Sequence, residues 1–326
     1  MSECEARRAA PEIGIETVRI CRRYGTVHAL DQVSLTVPRG RVLGLLGHNG
    51  AGKTTLIDIL ATARRPTSGT ARVAGYDVVT EAAQVRRRIG LTGQFAAVDE
   101  QISGRDNLVL VARLLGAGRR EARRRADELL ERFDLTAAAG RPARSYSGGM
   151  RRRLDLAASL TGRPDVLFLD EPTTGLDPAG RMAAWQAVGG LAREGTTVLL
   201  TTQYLDEADR LADTIAVLAD GRVIATGTPA DLKAKAGGRT ATARLAAVAD
   251  LPLAVRALRA AGLAPEAGQD SAPPAVTVPA PSARDLALIV RALDEAPIGT
   301  YELAMTEPTL DDVYLSLMGD KEMERR

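Results

Sequence analysis

The sequence predicts an α/β protein with a mainly parallel sheet, followed by a small α+β domain. Three observations carry that reading. The apolar run VLGLL (42–46) leads straight into GHNGAGKTT (47–55) and then a helical stretch. A second buried-strand run, VLFLDEP (166–172), and further strand-like runs alternate with helical stretches, which is the pattern of a parallel sheet. Near GGR (237–239) the texture changes to an Ala- and Pro-rich stretch without a phosphate motif.

Residues 1–13 are polar and read as a loose tail, and 14–238 read as the main domain. Strand-like runs occupy 15–21, 33–37 and 42–46, and a helix is expected from 53 to about 62. Residues 100–160 read as mostly helical: 108–115 is apolar, and 119–133 has helical spacing with many charges. RREARRR (119–125) reads as a solvated helix face, with a basic patch as the other option. Strands return at 166–169, 197–201 and 215–218, with a helix over 179–193 between two of them. Residues 239–326 form the accessory domain, read as three strand–helix pairs. SAPPAVTVPAPS (271–282) is a loop flanking one of those strands. The final helix has Thr309 as N-cap, with Asp311 and Asp312 in its first turn. Val313, Tyr314, Leu317 and Met318 form an apolar stripe on it.

Bulk composition excludes several classes. At 326 residues there is room for about two domains. A net charge of +2 is too small to make nucleic acid the main partner. The 39 Arg against 4 Lys read as GC-rich codon usage. Cys4 and Cys21 offer neither metal spacing nor a disulfide framework, which suits a reducing cytosol. His28 and His48 are too few for a metal cluster. The start lacks the apolar core of a signal peptide, and apolar runs of about six residues fall far short of the ~20 of a membrane helix. A membrane-spanning part is expected to be another polypeptide.

GHNGAGKTT fits G-x-x-x-x-G-K-[ST] at Gly47, Gly52, Lys53 and Thr54. Asn49, Gly50 and Thr55 belong to the same loop. Glycines let successive backbone N–H groups turn inward on phosphate oxygens, and a helix start adds its positive end. Lys53 is placed for the β and γ phosphates, and Thr54 for Mg²⁺. Asp170 closes an apolar strand and can hold Mg²⁺ through its water shell, while Glu171 can orient an attacking water. Ser147, Gly148 and Gly149 in YSGGM (146–150) make a second anion-binding helix start.

This order of motifs resembles the ATP-binding-cassette (ABC) ATPases over about residues 14–236. The resemblance implies a P-loop-type cassette: a mainly parallel core, an antiparallel β portion and a helical subdomain at about 100–160. It implies ATP and Mg²⁺ as ligands. It assigns Tyr24 to adenine stacking and Gln94 to the metal, the water and signalling to a transporter partner. It assigns Asp177, in GLDP (175–178), to a loop crossing between subunits. Two cassettes pair head to tail, so the chain is expected as a homodimer or beside a homologous cassette.

Two positions depart from the wider family. Met150-Arg151 follow the SGG triplet where Gln is usual, and Gln203 in TTQYLDEAD (201–209) stands where most members have His. Gln hydrogen-bonds a phosphate or water but carries no charge, which bears on turnover more than on binding. QFAAVDEQISGRDNL (94–108), TTQYLDEAD and EPTLDDVYLSLMG (307–319) together look like the ATP-binding subunit of daunorubicin-resistance-type exporters. That subfamily implies a separate multi-span ABC-2 permease, export of a bulky, often apolar compound, and a place at the cytoplasmic face of a bacterial plasma membrane. The alternatives are a slow nucleotide-dependent dimerisation switch, motivated by Gln203, and a non-transport ABC ATPase of DNA repair or translation.

Overall fold

The computed structural model describes residues 13–93, 98–236, 238–268 and 273–324. The chain divides into two compact units, Met1–Pro229 and Ala230–Arg326. The division falls ahead of the compositional change at 237–239.

In the first unit the chain runs β1 (Ile13–Tyr24), β2 (Val27–Pro38), β3 (Val42–Leu46), α1 (Lys53–Leu60), β4 (Ser68–Val73), β5 (Tyr76–Asp77), α2 (Ala82–Arg86) and β6 (Ile89–Thr92). It continues through α3 (Gly104–Leu114), α4 (Arg119–Arg132), α5 (Gly148–Ser159), β7 (Val166–Asp170), α6 (Pro178–Arg193), β8 (Thr197–Thr202), α7 (Leu205–Leu211), β9 (Thr214–Ala219) and β10 (Arg222–Gly227). Strands β2-β1-β4-β5 form an antiparallel sheet. Strands β10-β9-β3-β8-β7-β6 form the second sheet, parallel except at β10.

Every residue of β3, β7 and β8 is buried. Central parallel strands are covered on both faces, so they need continuous apolar runs rather than alternation. Register decides what lies at their carboxyl ends. Leu46 sits opposite Thr202, and Asp170 opposite Thr201. Gly47, Glu171 and Gln203 therefore leave the sheet along one edge, where ligands of open α/β sheets bind.

Helices α3, α4 and α5 contribute to a separate core around Leu108, Leu129, Leu130, Phe133 and Leu154. Arg119, Arg120, Arg123 and Arg124 on α4 face solvent, as a solvated face requires. Arg125 differs: it is half-buried and donates to the Leu160 carbonyl at 2.7 Å.

The second unit holds most of α8 (Pro229–Ala236), then β11 (Thr240–Leu245), α9 (Leu251–Ala260), β12 (Glu266–Gly268), β13 (Ala275–Pro279), α10 (Ala283–Asp294), β14 (Thr300–Thr306) and α11 (Leu310–Glu324). Its antiparallel sheet has the order β12-β13-β11-β14. Alternate residues Ala241, Ala243, Leu245, Val276 and Val278 pack against Leu258 of α9 and Ile289 of α10. Before α11, Thr309 and Asp312 cap each other: Thr309 N donates to Asp312 Oδ2 at 2.8 Å, and Asp312 N to Thr309 Oγ1 at 3.2 Å. On α11, Val313 is buried and Tyr314 and Leu317 are half-buried. Among the described residues no helix is long and apolar enough to cross a membrane.

Candidate active site

The loop after β3 is shaped by two crowded glycines. A Cβ on Gly47 would collide with the Leu218 carbonyl, and one on Gly52 with the Ala29 carbonyl. Gly52 also holds φ 107°, open to glycine at little cost, just before α1 begins at Lys53. Asn49 and Gly50 are exposed at the tip, and Thr55 is half-buried on α1.

Lys53 is buried at the loop's centre. Its ammonium donates to the Gly47 carbonyl at 2.6 Å and the His48 carbonyl at 3.2 Å. Burial lowers its pKa from the usual lysine value, and the carboxylates of Glu171 and Asp170 pull it back up. A cation so placed gains from anionic ligands, which compensate its lost hydration.

Asp170, at the end of β7, is buried and accepts two hydroxyl hydrogen bonds. Thr54 Oγ1 donates to its Oδ2 at 3.2 Å, and Thr201 Oγ1 to its Oδ1 at 2.5 Å. A hydroxyl and a carboxylate side by side are the oxygen pair Mg²⁺ takes beside substrate phosphates, keeping waters on its remaining positions.

Glu171 holds φ 49°, a left-handed conformation costing a non-glycine residue about 1–3 kcal/mol. Its N–H is shared between the Thr201 carbonyl at 3.1 Å and the Thr201 hydroxyl at 3.2 Å. The Thr174 hydroxyl donates to its Oε2 at 3.3 Å. From the far side, Arg152 of α5 donates to the Glu171 carbonyl at 2.8 Å.

Gln203 follows β8 and is exposed, but its neighbours are fixed. The Tyr204 N–H donates to Thr202 Oγ1 at 2.9 Å, and the Arg181 guanidinium stacks 4.6 Å from the Tyr204 ring centre. Beneath them Glu207 is fully buried and accepts from Trp185 Nε1 at 3.1 Å. Burial raises the Glu207 pKa above the usual carboxyl value, against the pull of its hydrogen bonds.

Other predicted residues lie elsewhere on the unit. Tyr24 closes β1 in the antiparallel sheet, with the Arg22 guanidinium 4.6 Å and the Arg64 guanidinium 5.7 Å from its ring centre. Ser147 caps α5, accepting from Met150 N at 3.2 Å. Asp177 caps α6, accepting from Gly180 N at 2.8 Å. Ser147, Gly148 and Asp177 are exposed, and Gly149 is half-buried. Gln94 lies outside the described residues.

Residues 30–174 match the ABC transporter family. The chain is 54% identical over 301 residues to a daunorubicin resistance ATP-binding protein of Streptomyces coeruleorubidus, covering 92% of this chain and 94% of that protein. The chain belongs to the ATP-binding subunits of ABC transporters, in the daunorubicin-resistance type. It is an ATPase subunit of an export system. A daunorubicin/doxorubicin resistance ATP-binding protein of Streptomyces peucetius is 47% identical over 309 residues, covering 95% and 93% of the two chains. A dimeric bacterial ABC transporter cassette superposes with a TM-score of 0.61 at 26% identity, covering 66% of this ABC subunit and 98% of that cassette.

Three residues of this site escaped the sequence reading: Arg152, Thr201 and Glu207. Each acts through a partner distant in sequence. The one available signal was the pair of buried-strand threonines, Thr201 and Thr202, polar groups that require partners.

Proposed function

We propose that this subunit pairs with a second cassette, binds Mg-ATP between the two, and drives export of a hydrophobic, drug-like compound. Export runs through a separate ABC-2 type permease at the cytoplasmic face of a bacterial plasma membrane. The carrying observation is the hydrogen-bonded network of Thr54, Asp170, Thr201 and Glu171 at one sheet edge, with the Lys53 ammonium beside it on the Gly47 and His48 carbonyls. The names of the relatives, resistance ATP-binding proteins for daunorubicin and doxorubicin, support the cargo class. A related cassette solved as a dimer supports the pairing.

In this reading the N–H groups of residues 47–55 and the Lys53 ammonium hold the phosphates, with Gly47, Asn49, Gly50, Gly52 and Thr55 shaping the cradle. Thr54, Asp170 and Gln94 hold Mg²⁺, which neutralises phosphate charge when bound. Glu171 takes the proton of the attacking water, which Gln203 and Gln94 help to orient. Tyr24 stacks on the base. Ser147, Gly148, Gly149 and Asp177 complete the nucleotide site of the opposite subunit.

The test uses inverted vesicles carrying this subunit with a candidate ABC-2 permease and an anthracycline as cargo. ATP-dependent uptake is expected. Glu171→Gln is expected to keep nucleotide binding and lower turnover ~10²-fold or more, the size of a general-base effect. Unchanged hydrolysis in the variant removes Glu171 from that role. Parent vesicles that hydrolyse ATP without moving the anthracycline overturn the cargo class.

A further inference from the structure

Arg152 is the most heavily engaged side chain near the site. It lies on the second turn of α5, the helix that starts at Ser147. Its Nε donates to the Pro172 carbonyl at 2.7 Å. Its Nη2 donates to the carbonyls of Asp170 at 3.1 Å and Glu171 at 2.8 Å. Its Nη1 donates to the Gly93 carbonyl at 3.2 Å and to Asp155 Oδ2 at 3.4 Å. Only 17% of the Arg152 side chain is exposed, and 2% of Asp155.

Carbonyls of successive residues in an extended strand point to opposite sides. Here three successive carbonyls, from Asp170 to Pro172, converge on one guanidinium. The left-handed φ of 49° at Glu171 coincides with that departure from the strand. A planar guanidinium with donors in fixed directions suits such a convergence, because it fixes the carbonyls relative to one another. A lysine ammonium is a compact point charge and cannot span the same set. The Glu171 N–H is held by Thr201 of β8, so the residue is bonded from two elements.

We propose that Arg152 is a positioning residue for ATP hydrolysis: it holds the backbone of Asp170, Glu171 and Pro172 so that the Glu171 carboxylate stays aimed at the attacking water. This rests on the reading of Glu171 as the general base. It also gives α5, whose exposed N-terminus faces outward, a rigid attachment to the hydrolytic residue of its own subunit.

The experiment is single-turnover hydrolysis by the full-length chain, with equilibrium binding of a fluorescent ATP analogue and thermal unfolding measured alongside. Arg152→Ala is expected to lower the hydrolysis rate ~10²-fold, the size expected when a catalytic group is displaced by about 1 Å. Nucleotide affinity should stay within about threefold, since the phosphate loop is untouched. Arg152→Lys should regain the parent's unfolding midpoint but not its rate. In the Glu171→Gln background, Arg152→Ala and Arg152→Lys should each cost less than about twofold more, because both changes act through one group. A parent-like rate in Arg152→Lys, or losses that multiply with Glu171→Gln, overturn the proposal. Should Arg152→Ala fail to fold, the lysine variant and its cycle decide alone. Parent-like hydrolysis by Glu171→Gln on its own sinks the reading of Glu171 instead.

Discussion

The phosphate-loop edge and the Ser147 turn are both helix starts that we propose bind the nucleotide, yet they are built differently. At the first, Lys53 and Asp170 are buried and bonded to the loop, to Thr54 and to Thr201. Its donors and acceptors are organised within one chain. At the second, Ser147 and Gly148 are exposed, and a Cβ on Gly148 would meet nothing within 4 Å. Asp177 is likewise exposed, and its Oδ1 caps its own helix by accepting from Gly180 N. A finished cradle holds a ligand by itself. The difference fits the proposal that one surface grips the subunit's own nucleotide while the other completes the site of a second copy.

The largest expected effect breaks that comparison directly. Lys53→Ala removes the built half and Ser147→Arg blocks the offered half, so each alone should lose ~10²-fold or more in turnover. Losing the Ser147 cap as such costs only about 1 kcal/mol, so the second variant should stay folded. A two-fold pair contains two equivalent sites. A mixed pair keeps one intact site, and hydrolysis should return to at most about half the parent rate. Heterodimers shown to form by crosslinking, yet inactive, would mean that the two halves do not share a nucleotide.

The same contrast explains what was legible in the sequence. GHNGAGKTT and VLFLDEP are contiguous, and their chemistry follows from local order, so both the parallel sheet and the residues at its edge could be read. The strands that escaped have weak patterns. β4 is SGTARV with only two buried positions, β5 is two residues long, β6 four and β12 three, and β10 has no fully buried position. Strands this short, or with so few buried positions, carry little periodicity to detect. Arg152 was invisible for another reason. In RRR (151–153) nothing local separates the arginine that reaches Gly93 and Glu171 from its neighbours, which bond to Glu100 and to the Phe133 carbonyl. Its role exists only after the chain folds.

A middle-sized effect sharpens the comparison at Gln203, an exposed side chain between anchored neighbours. A neutral amide donates a hydrogen bond of roughly 0.5–1.5 kcal/mol. Losing about 1.4 kcal/mol in the transition state is tenfold in rate. Gln203→Ala should therefore lower single-turnover hydrolysis by up to ~10-fold. Nucleotide affinity should stay within a few-fold, since Lys53 and the loop supply the grip. An alanine variant that matches the parent would show that Gln203 takes no part in turnover.

The smallest effect concerns Glu207, buried beside the Gln203 turn. Burial raises the Glu207 pKa above its ordinary value of 4.5. Between 4.5 and the raised value, the folded chain holds a proton that the unfolded chain has released. Stability must then fall as pH rises through that window, and the penalty is complete above the folded pKa. One proton sets the limiting slope at about 1.4 kcal/mol per pH unit, or ~2–4 °C in unfolding midpoint for a domain of this size. Glu207→Gln removes the titration while its amide oxygen can still accept from Trp185 Nε1. Its midpoint should decline less than the parent's as pH is raised from 5 through neutrality, with the gap widening toward the alkaline end. Other groups titrate equally in both proteins and cancel in the difference. Parallel midpoint curves would show that Glu207 ionises in the fold as it does in water, and that the ground beneath Gln203 is no drier than the surface above it.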